Sequence, residues 1–190
     1  MTEDILGKID FSDDNYTVKQ SFIRNKYAVY NSDGEKIIGA KQKLFKMKED
    51  FPFTDSEGNV IFRVKAKRRL DIAGDYGIID EETGETIAIL TKEFSILKHI
   101  WRIKDPDTEA LLATIESRSK VIGAIRTLSD LADFLPHKYT IYNSERDQIG
   151  EIKGKWSLRA TYDIELGELG KVPRKAVITA ACTIDALEAN

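Results

Sequence analysis

The chain has 190 residues, of which 42% are hydrophobic and 32% charged, a composition that fits one folded domain with a sizeable core and excludes a disordered chain. The formal net charge of −3 gives no overall case for nucleic-acid binding. The single cysteine, Cys182, excludes an internal disulfide, and with only two histidines, His99 and His137, a structural zinc site is not expected.

The first fifteen residues are interpreted as an N-terminal extension. The opening MTEDILGKID is acidic and has no basic segment followed by an apolar run, so we predict no signal peptide and expect a cytoplasmic protein. From Tyr16, the sequence YTVKQS alternates as a β-strand does. We therefore place a single domain at residues 16–190.

Five segments then repeat one pattern: an aromatic residue, an apolar residue two positions later, a polar turn and a second alternating apolar run. They begin at Tyr27, Phe51, Tyr76, Trp101 and Tyr139. Because side chains alternate along a strand, each segment predicts a β-hairpin, with Tyr27, Val29 and Ile37 on one face of the first. One strand before the repeats and one after them bring the prediction to about twelve antiparallel strands.

The predicted turns differ in how strongly their residues mark them. Gly34, Gly58 and Gly84 stand where a hairpin turn needs a positive φ. The fourth turn, 105–108, uses proline and aspartate, and the fifth, 143–147, contains no glycine.

Two segments break the hairpin pattern. Apolar residues between Ile122 and Leu135 recur at helical spacing and predict a short amphipathic helix that ends at Pro136. We interpret this helix as a structural insertion that packs between two hairpins. The C-terminal segment predicts a second helix at about 174–188, started by Pro173 and apolar on nearly every face. A barrel of more than eight strands leaves space inside, and a helix is about 10–12 Å across, so we predict that the final helix fills the barrel.

The opening YTVKQSFIRNKYAVYNSDGE, the segment KQKLF and the closing VPRKAVITAACTIDAL together resemble the LURP-one-related family, its prokaryotic members most closely. That family belongs with the Tubby C-terminal-like and phospholipid-scramblase barrels. The resemblance covers about residues 16–187 and implies a twelve-stranded barrel around a C-terminal helix. Tubby-like relatives bind phosphoinositides and scramblase relatives are linked to lipid movement and calcium, so a lipid role is implied weakly.

A basic run between residues 41 and 69 is the first candidate site, with nine Lys and Arg against four Asp and Glu. On consecutive strands these cations would share an outer face that holds a lipid phosphate. The expected contacts are Lys41, Lys43, Arg63, Lys65, Lys67, Arg68 and Arg69. The alternative is an ordinary solvated sheet face, because Arg63, Lys65 and Lys67 alternate with apolar residues.

Asp185 is the second candidate, because a carboxylate in a buried helix needs a hydrogen-bond partner or solvent. It indicates either a ligand or ion at a barrel mouth or a structural acceptor for backbone N–H groups. The acids Asp13, Asp14, Asp105, Asp107 and Glu109 lack the frame of an EF-hand, so turns are expected there and no calcium site.

Residues 150–156 have three residues between their glycines where a P-loop has four, so no nucleotide site is predicted. Neither histidine has a nucleophile in a recognisable context.

We therefore expect no catalytic residues, metal or cofactor. We interpret the chain as a non-enzymatic binding or scaffold domain that binds anionic phospholipid or phosphoinositide peripherally at the membrane. Two alternatives stay open: a small-molecule or enzymatic site at a barrel mouth, and a protein-interaction module that uses a strand edge. The sequence leaves the oligomeric state undetermined.

Overall fold

A computed structural model describes residues 5–6, 9–21, 26–41, 50–66, 75–93, 99–117, 138–155 and 161–188. The strands are β1 Ile5–Leu6, β2 Ile9–Asp10, β3 Asn15–Ser21, β4 Lys26–Tyr30, β5 Lys36–Lys41, β6 Asp50–Thr54, β7 Val60–Ala66, β8 Asp75–Asp80, β9 Thr86–Glu93, β10 Ile100–Lys104, β11 Leu111–Ser117, β12 Lys138–Asn143, β13 Gln148–Lys155 and β14 Thr161–Leu166. The helix α1 is Arg174–Glu188. The predicted helix near 122–135 lies outside the described residues.

Strands β3 to β14 form a closed antiparallel barrel, which confirms the predicted architecture. Each strand pairs with its neighbours in the sequence, and β14 pairs with β3 to close the ring. The five repeats are the five hairpins from β4–β5 to β12–β13. The short strands β1 and β2, which the sequence did not predict, pair with each other.

All five hairpin turns follow one scheme that the sequence interpretation only partly recognised. Each begins with an Asp or Asn, and the side-chain oxygen of this residue accepts N–H bonds from the turn that follows. These first residues are Asn31, Asp55, Asp80, Asp105 and Asn143. The predicted glycines have φ of 80°, 97° and 73°, while Glu109 at 56° and Arg146 at 72° take that role in the other two turns.

The prediction that Ile37 shares a face with Tyr27 and Val29 is wrong. Ile38 lies opposite Val29 and is 1% exposed, whereas Ile37 is half-buried. A bulge between Val29 and Tyr30 shifts the register by one residue, and a shift of one residue exchanges the two faces of a strand.

Residues 176–184 of helix α1 are enclosed on every side, as predicted for a helix inside the barrel. The nine consecutive residues Ala176–Ile184 are each at most 5% exposed. They belong to one core with the inward side chains of the barrel, including Phe62, Ile103 and Ile164. The hydroxyls of Thr179 and Thr183 donate to helix carbonyls at 2.7 Å, which satisfies two buried polar groups.

The N-terminal segment also contributes to this core. Phe11 is fully buried, with its ring centroid 6.4 Å from that of Tyr16. Arg174, in the first turn of α1, donates to the carbonyl oxygen of Asp13 at 2.6 Å and to the carboxylate of Asp14 at 2.8 Å. These bonds join the start of the barrel to the start of the helix that fills it.

The two ends of the barrel differ in their connections. All five hairpin turns and the segment 167–173 that leads into α1 lie at one end, which we name the turn end. The strands that flank residues 22–25, 42–49, 67–74, 94–98, 118–137 and 156–160 all end at the other, which we name the opposite end. Helix α1 starts at the turn end, and its 15 residues extend about 22 Å towards the opposite end.

Candidate functional site

Arg63 is the only member of the predicted phosphate-binding set whose charged contacts are described. It lies on the outer face of β7, because its neighbours Phe62 and Val64 point inward and are fully buried. Its Nε donates to Glu81 at 2.7 Å, and its Nη1 lies 3.5 Å from Asp50. The hydrogen bond to Glu81 raises the pKa of Arg63 further above its usual range. Arg63 is therefore already engaged by two carboxylates.

Of the other members of that set, two lie on strands that end at the opposite end and four lie outside the described residues. Lys65 is exposed near the end of β7, across from Asp50 and Gly77. Lys41 is the last residue of β5, and its side chain is not described. Lys43, Lys67, Arg68 and Arg69 lie outside the described residues, in two segments whose flanking strands end there.

The outer wall of the barrel carries cations and carboxylates in nearly equal numbers. The outward-facing cations are Lys19, Arg63, Lys65, Arg102, Lys104, Lys138, Lys153 and Lys155, and the carboxylates are Asp50, Asp75, Glu93, Glu116, Glu151, Asp163 and Glu165. Cross-strand ion pairs join Arg102 to Glu93 at 2.6 Å and Lys155 to Asp163 at 2.6 Å. The wall is therefore close to neutral.

Lys153 shows how closely the wall charges are matched. Its Nζ lies 2.6 Å from Glu151 and 2.7 Å from Glu165, on the same strand and on the neighbouring strand. Hydrogen bonds to Glu151 and then Glu165 raise the pKa of Lys153 above its ordinary value. Exposed pairs of this kind add little to stability, but they cancel the field that a lone lysine would project.

The turn end is strongly acidic. Its segments 31–35, 55–59, 81–85, 105–110, 144–147 and 167–173 contain thirteen Asp and Glu against two Lys and Arg. A side-chain hydrogen bond from Asn59 lowers the pKa of Asp55, and a backbone hydrogen bond from Thr108 lowers that of Asp105. One of the two cations, Arg146, is bound to Glu116 at 2.5 Å.

The segments that join strands at the opposite end lie outside the described residues, and their sequences have the reverse charge. The six segments that join strands there contain twelve Lys and Arg against four Asp and Glu. They also contain aromatic residues, among them Phe22, Phe45, Phe94 and Trp156, whereas the six turn-end segments contain no Phe, Tyr or Trp. The net charge of −3 therefore conceals two groups of segments of opposite sign.

The remaining sequence candidates show no converging site among the described residues. Asp185 lies in α1 towards the opposite end, and because its side chain is not described, both interpretations of it stay predictions. His99 pairs by its backbone with Ser117, accepting from its N–H at 2.9 Å, and His137 lies outside the described residues. Gly150 and Gly154 lie within β13, which is not the setting of a P-loop.

The acidic residues that were considered for calcium lie in the β10–β11 turn and in the segment that precedes β3. Asp105, Asp107 and Glu109 belong to the β10–β11 turn, and the carboxylate of Asp105 accepts the N–H groups of Asp107 and Thr108. In the described ranges, no three His, Cys, Asp or Glu side chains are grouped so as to hold a metal ion. Among the same residues, no helix has the length and apolar character to cross a membrane.

Comparison with known proteins gives a family and a fold. The family model for LURP-one-related proteins matches residues 38–185. No curated protein sequence matches significantly. An X-ray structure of a protein from Arabidopsis thaliana aligns with a TM-score of 0.55 over 92% of this chain and 91% of that chain. Its sequence identity of 6% makes this a similarity of fold alone. Since the family model spans most of the barrel and most of α1, the chain belongs to the LURP-one-related family.

Proposed function

We propose that this protein is a non-enzymatic binding domain whose opposite end docks on a surface of anionic phospholipid. The observation that carries the proposal is the charge of the six segments that join strands there, twelve cations against four carboxylates. Of the predicted phosphate contacts, Lys43, Lys67, Arg68 and Arg69 belong to these segments, and Lys41 and Lys65 precede them. Arg63 contributes less, because Glu81 and Asp50 already neutralise it.

The chemistry of these segments fits a membrane surface better than it fits a small polar ligand. Each Lys or Arg near an anionic leaflet contributes about 1 kcal/mol of attraction, and several acting together give binding that weakens with salt. Aromatic side chains such as Phe45 and Trp156 add apolar contact at the boundary of headgroups and acyl chains. Basic and aromatic residues together are thus suited to peripheral binding without a covalent anchor.

Vesicle sedimentation tests the proposal. We expect the protein to sediment with vesicles of phosphatidylcholine mixed with phosphatidylserine or a phosphoinositide, and not with phosphatidylcholine alone. Binding should weaken about tenfold or more between low salt and physiological salt, because the attraction is screened over a Debye length of about 8 Å.

A matched pair of variants separates a local surface from overall charge. Lys67→Glu with Arg68→Glu places two reversals at the opposite end, and Lys36→Glu with Lys171→Glu places two on exposed turn-end residues. Both change the net charge equally, but only the first should reduce binding, by tenfold or more. Absence of binding by the unaltered protein at low salt, or equal loss in both variants, contradicts the proposal.

A further inference from the structure

We infer that the barrel contains a lateral gate, a seam between β5 and β6 that opens while the rest of the barrel stays folded. This inference stands apart from the proposed function, because it concerns only the strands Lys36–Lys41 and Asp50–Thr54 and their described neighbours. Three observations carry it: the pairing of the two strands, a proline in one of them, and the contacts that hold each strand to its other neighbour.

The seam between β5 and β6 has the weakest pairing in the barrel. Among the residues that the structure describes, Gly39 and Thr54 are the single pair of partners that joins the two strands. At each of the other seams of the closed barrel, the ladder runs over five or six pairs of partners. The seam between β7 and β8 also joins two hairpins and has five, so this position in the fold does not by itself require a short ladder.

Pro52 explains why the ladder stops. The hydroxyl of Thr54 donates to the carbonyl oxygen of Gly39 at 3.1 Å, so that carbonyl faces β6. Because the backbone groups of alternate residues face the same neighbouring strand, the carbonyl of Lys41 faces β6 as well. Continuing the register by two residues would place Pro52 opposite Lys41, and proline has no N–H to donate. On the side that faces β5, β6 therefore has the character of an edge strand.

Each strand of the seam is held more firmly by its other neighbour. The rings of Phe53 on β6 and Phe62 on β7 stack with their centroids 4.3 Å apart. The carboxylate of Asp50 on β6 lies 3.5 Å from Nη1 of Arg63 on β7, and β5 is paired with β4 over five residues. Where side chains of β5 and β6 are described, no ion pair joins the two strands, and Gly39 has no side chain to pack across the seam. The hairpins on the two sides can therefore separate as intact units.

Opening at this seam leaves α1 in place. The helix has its most extensive contacts with β8, β9 and β10, which do not form the seam. Cys182 in α1 is 5% exposed and so reports on unfolding of the whole barrel. Ile38 on β5 and Phe53 on β6 face the interior beside the seam and are 1% and 2% exposed, so an open gate would uncover them. The gate thus gives the interior a route to solvent that does not require unfolding.

Thiol labelling at two sites in one protein measures the gate. In Ile38→Cys, a thiol reagent can modify position 38 and Cys182, and digestion followed by mass spectrometry assigns the label. With each rate divided by that of the same thiol in the urea-unfolded chain, position 38 should label roughly tenfold or more faster than Cys182. Its rate should also rise less steeply with urea, because opening the gate exposes less surface than unfolding does. Phe53→Cys, on the other strand of the seam, is the second reporter if Ile38→Cys does not fold.

Two substitutions at the seam should change the labelling at position 38 in opposite directions. Pro52→Thr restores an N–H opposite Lys41 and should slow this labelling by about three- to tenfold, the effect of one added backbone hydrogen bond. Thr54→Val removes the hydroxyl that donates to Gly39 and should accelerate it by about threefold. Both effects are expected at position 38 and not to the same extent at Cys182.

Thr17→Val is the matched control for the hydroxyl. Thr17 donates to the carboxylate of Asp163 at 2.9 Å across the seam between β3 and β14, so its removal should leave labelling at position 38 unchanged relative to Cys182. Equal normalised labelling of position 38 and Cys182, with the same dependence on urea, overturns the gate, because the seam then opens only when the whole barrel unfolds. Equal slowing of both thiols by Pro52→Thr, or equal effects of Thr17→Val and Thr54→Val at position 38, also overturns it.

Discussion

The burial of α1 inside the barrel predicts a large loss of stability when a side chain of the helix is shortened. Ile178 is fully buried, and Ile178→Ala removes three carbons from the core. At about 0.8 kcal/mol for each buried methylene, transfer alone costs roughly 2.4 kcal/mol, and the cavity left in a closed barrel brings the expected loss to about 3–4 kcal/mol. The control Ile79→Ala, on the half-buried outer wall, should cost about 1 kcal/mol or less.

Urea unfolding and thiol labelling measure this loss by independent routes. Cys182 is the single cysteine, lies in α1 and is 5% exposed, so a thiol reagent reaches it only when the barrel opens. A loss of 3 kcal/mol should increase the labelling rate roughly 150-fold where opening and closing are fast, since each 1.4 kcal/mol is a factor of ten. The enclosed-helix account is wrong if Cys182 of the unaltered protein labels at the rate of a free thiol, or if the two alanine variants lose equal stability.

Three further substitutions test the barrel itself. Gly150→Ala should lower the free energy of unfolding by about 2–3 kcal/mol, because an added Cβ would lie 2.7 Å from the carbonyl oxygen of Glu165. Gly167→Ala is the control and should lower it far less, because the nearest contact of its Cβ would be at 3.5 Å. Thermal unfolding measures both losses. Glu109→Gly should stabilise the protein by about 0.5–1 kcal/mol, because φ at Glu109 is 56°; a loss of stability would show that this turn tolerates a side chain without strain. Burial raises the pKa of Tyr16 well above its ordinary value, so the unfolded chain releases the phenol proton at a lower pH than the folded protein does. The free energy of unfolding should therefore decline as pH rises above about 10. Tyr16→Phe should flatten that decline, and an unchanged dependence of stability on pH would refute the assignment to Tyr16.

Local patterns predicted those parts of the fold that are decided by neighbouring residues. Alternation predicted the hairpins, and Gly34, Gly58 and Gly84 marked three of the turns. Pro173 and the apolar run after it predicted a helix over the range that α1 occupies. The step from these elements to a closed barrel was also predictable, because an apolar helix and about twelve strands have few ways to bury each other.

What the sequence did not predict depends on contacts between distant residues. The bulge that exchanged Ile37 for Ile38 arises where a turn meets its strands, and alternation within one strand does not report it. The ion pair between Arg63 and Glu81 joins residues that are distant in the sequence. A count of charges along the chain does not show this pair, so Arg63 was predicted to be available for a phosphate. The Asp or Asn that opens every turn was visible in the sequence, and aligning the five repeats at that position would have revealed it.

The separation of charge between the two ends has a different origin at each end. At the turn end, part of the acidity is structural, because the carboxylates of Asp55, Asp80 and Asp105 accept N–H bonds that hold their turns. Turn chemistry places no such demand for Lys or Arg on the segments at the opposite end. The sequences of those six segments nevertheless carry an excess of eight positive charges, and the anionic surface that we propose as the partner would account for that excess.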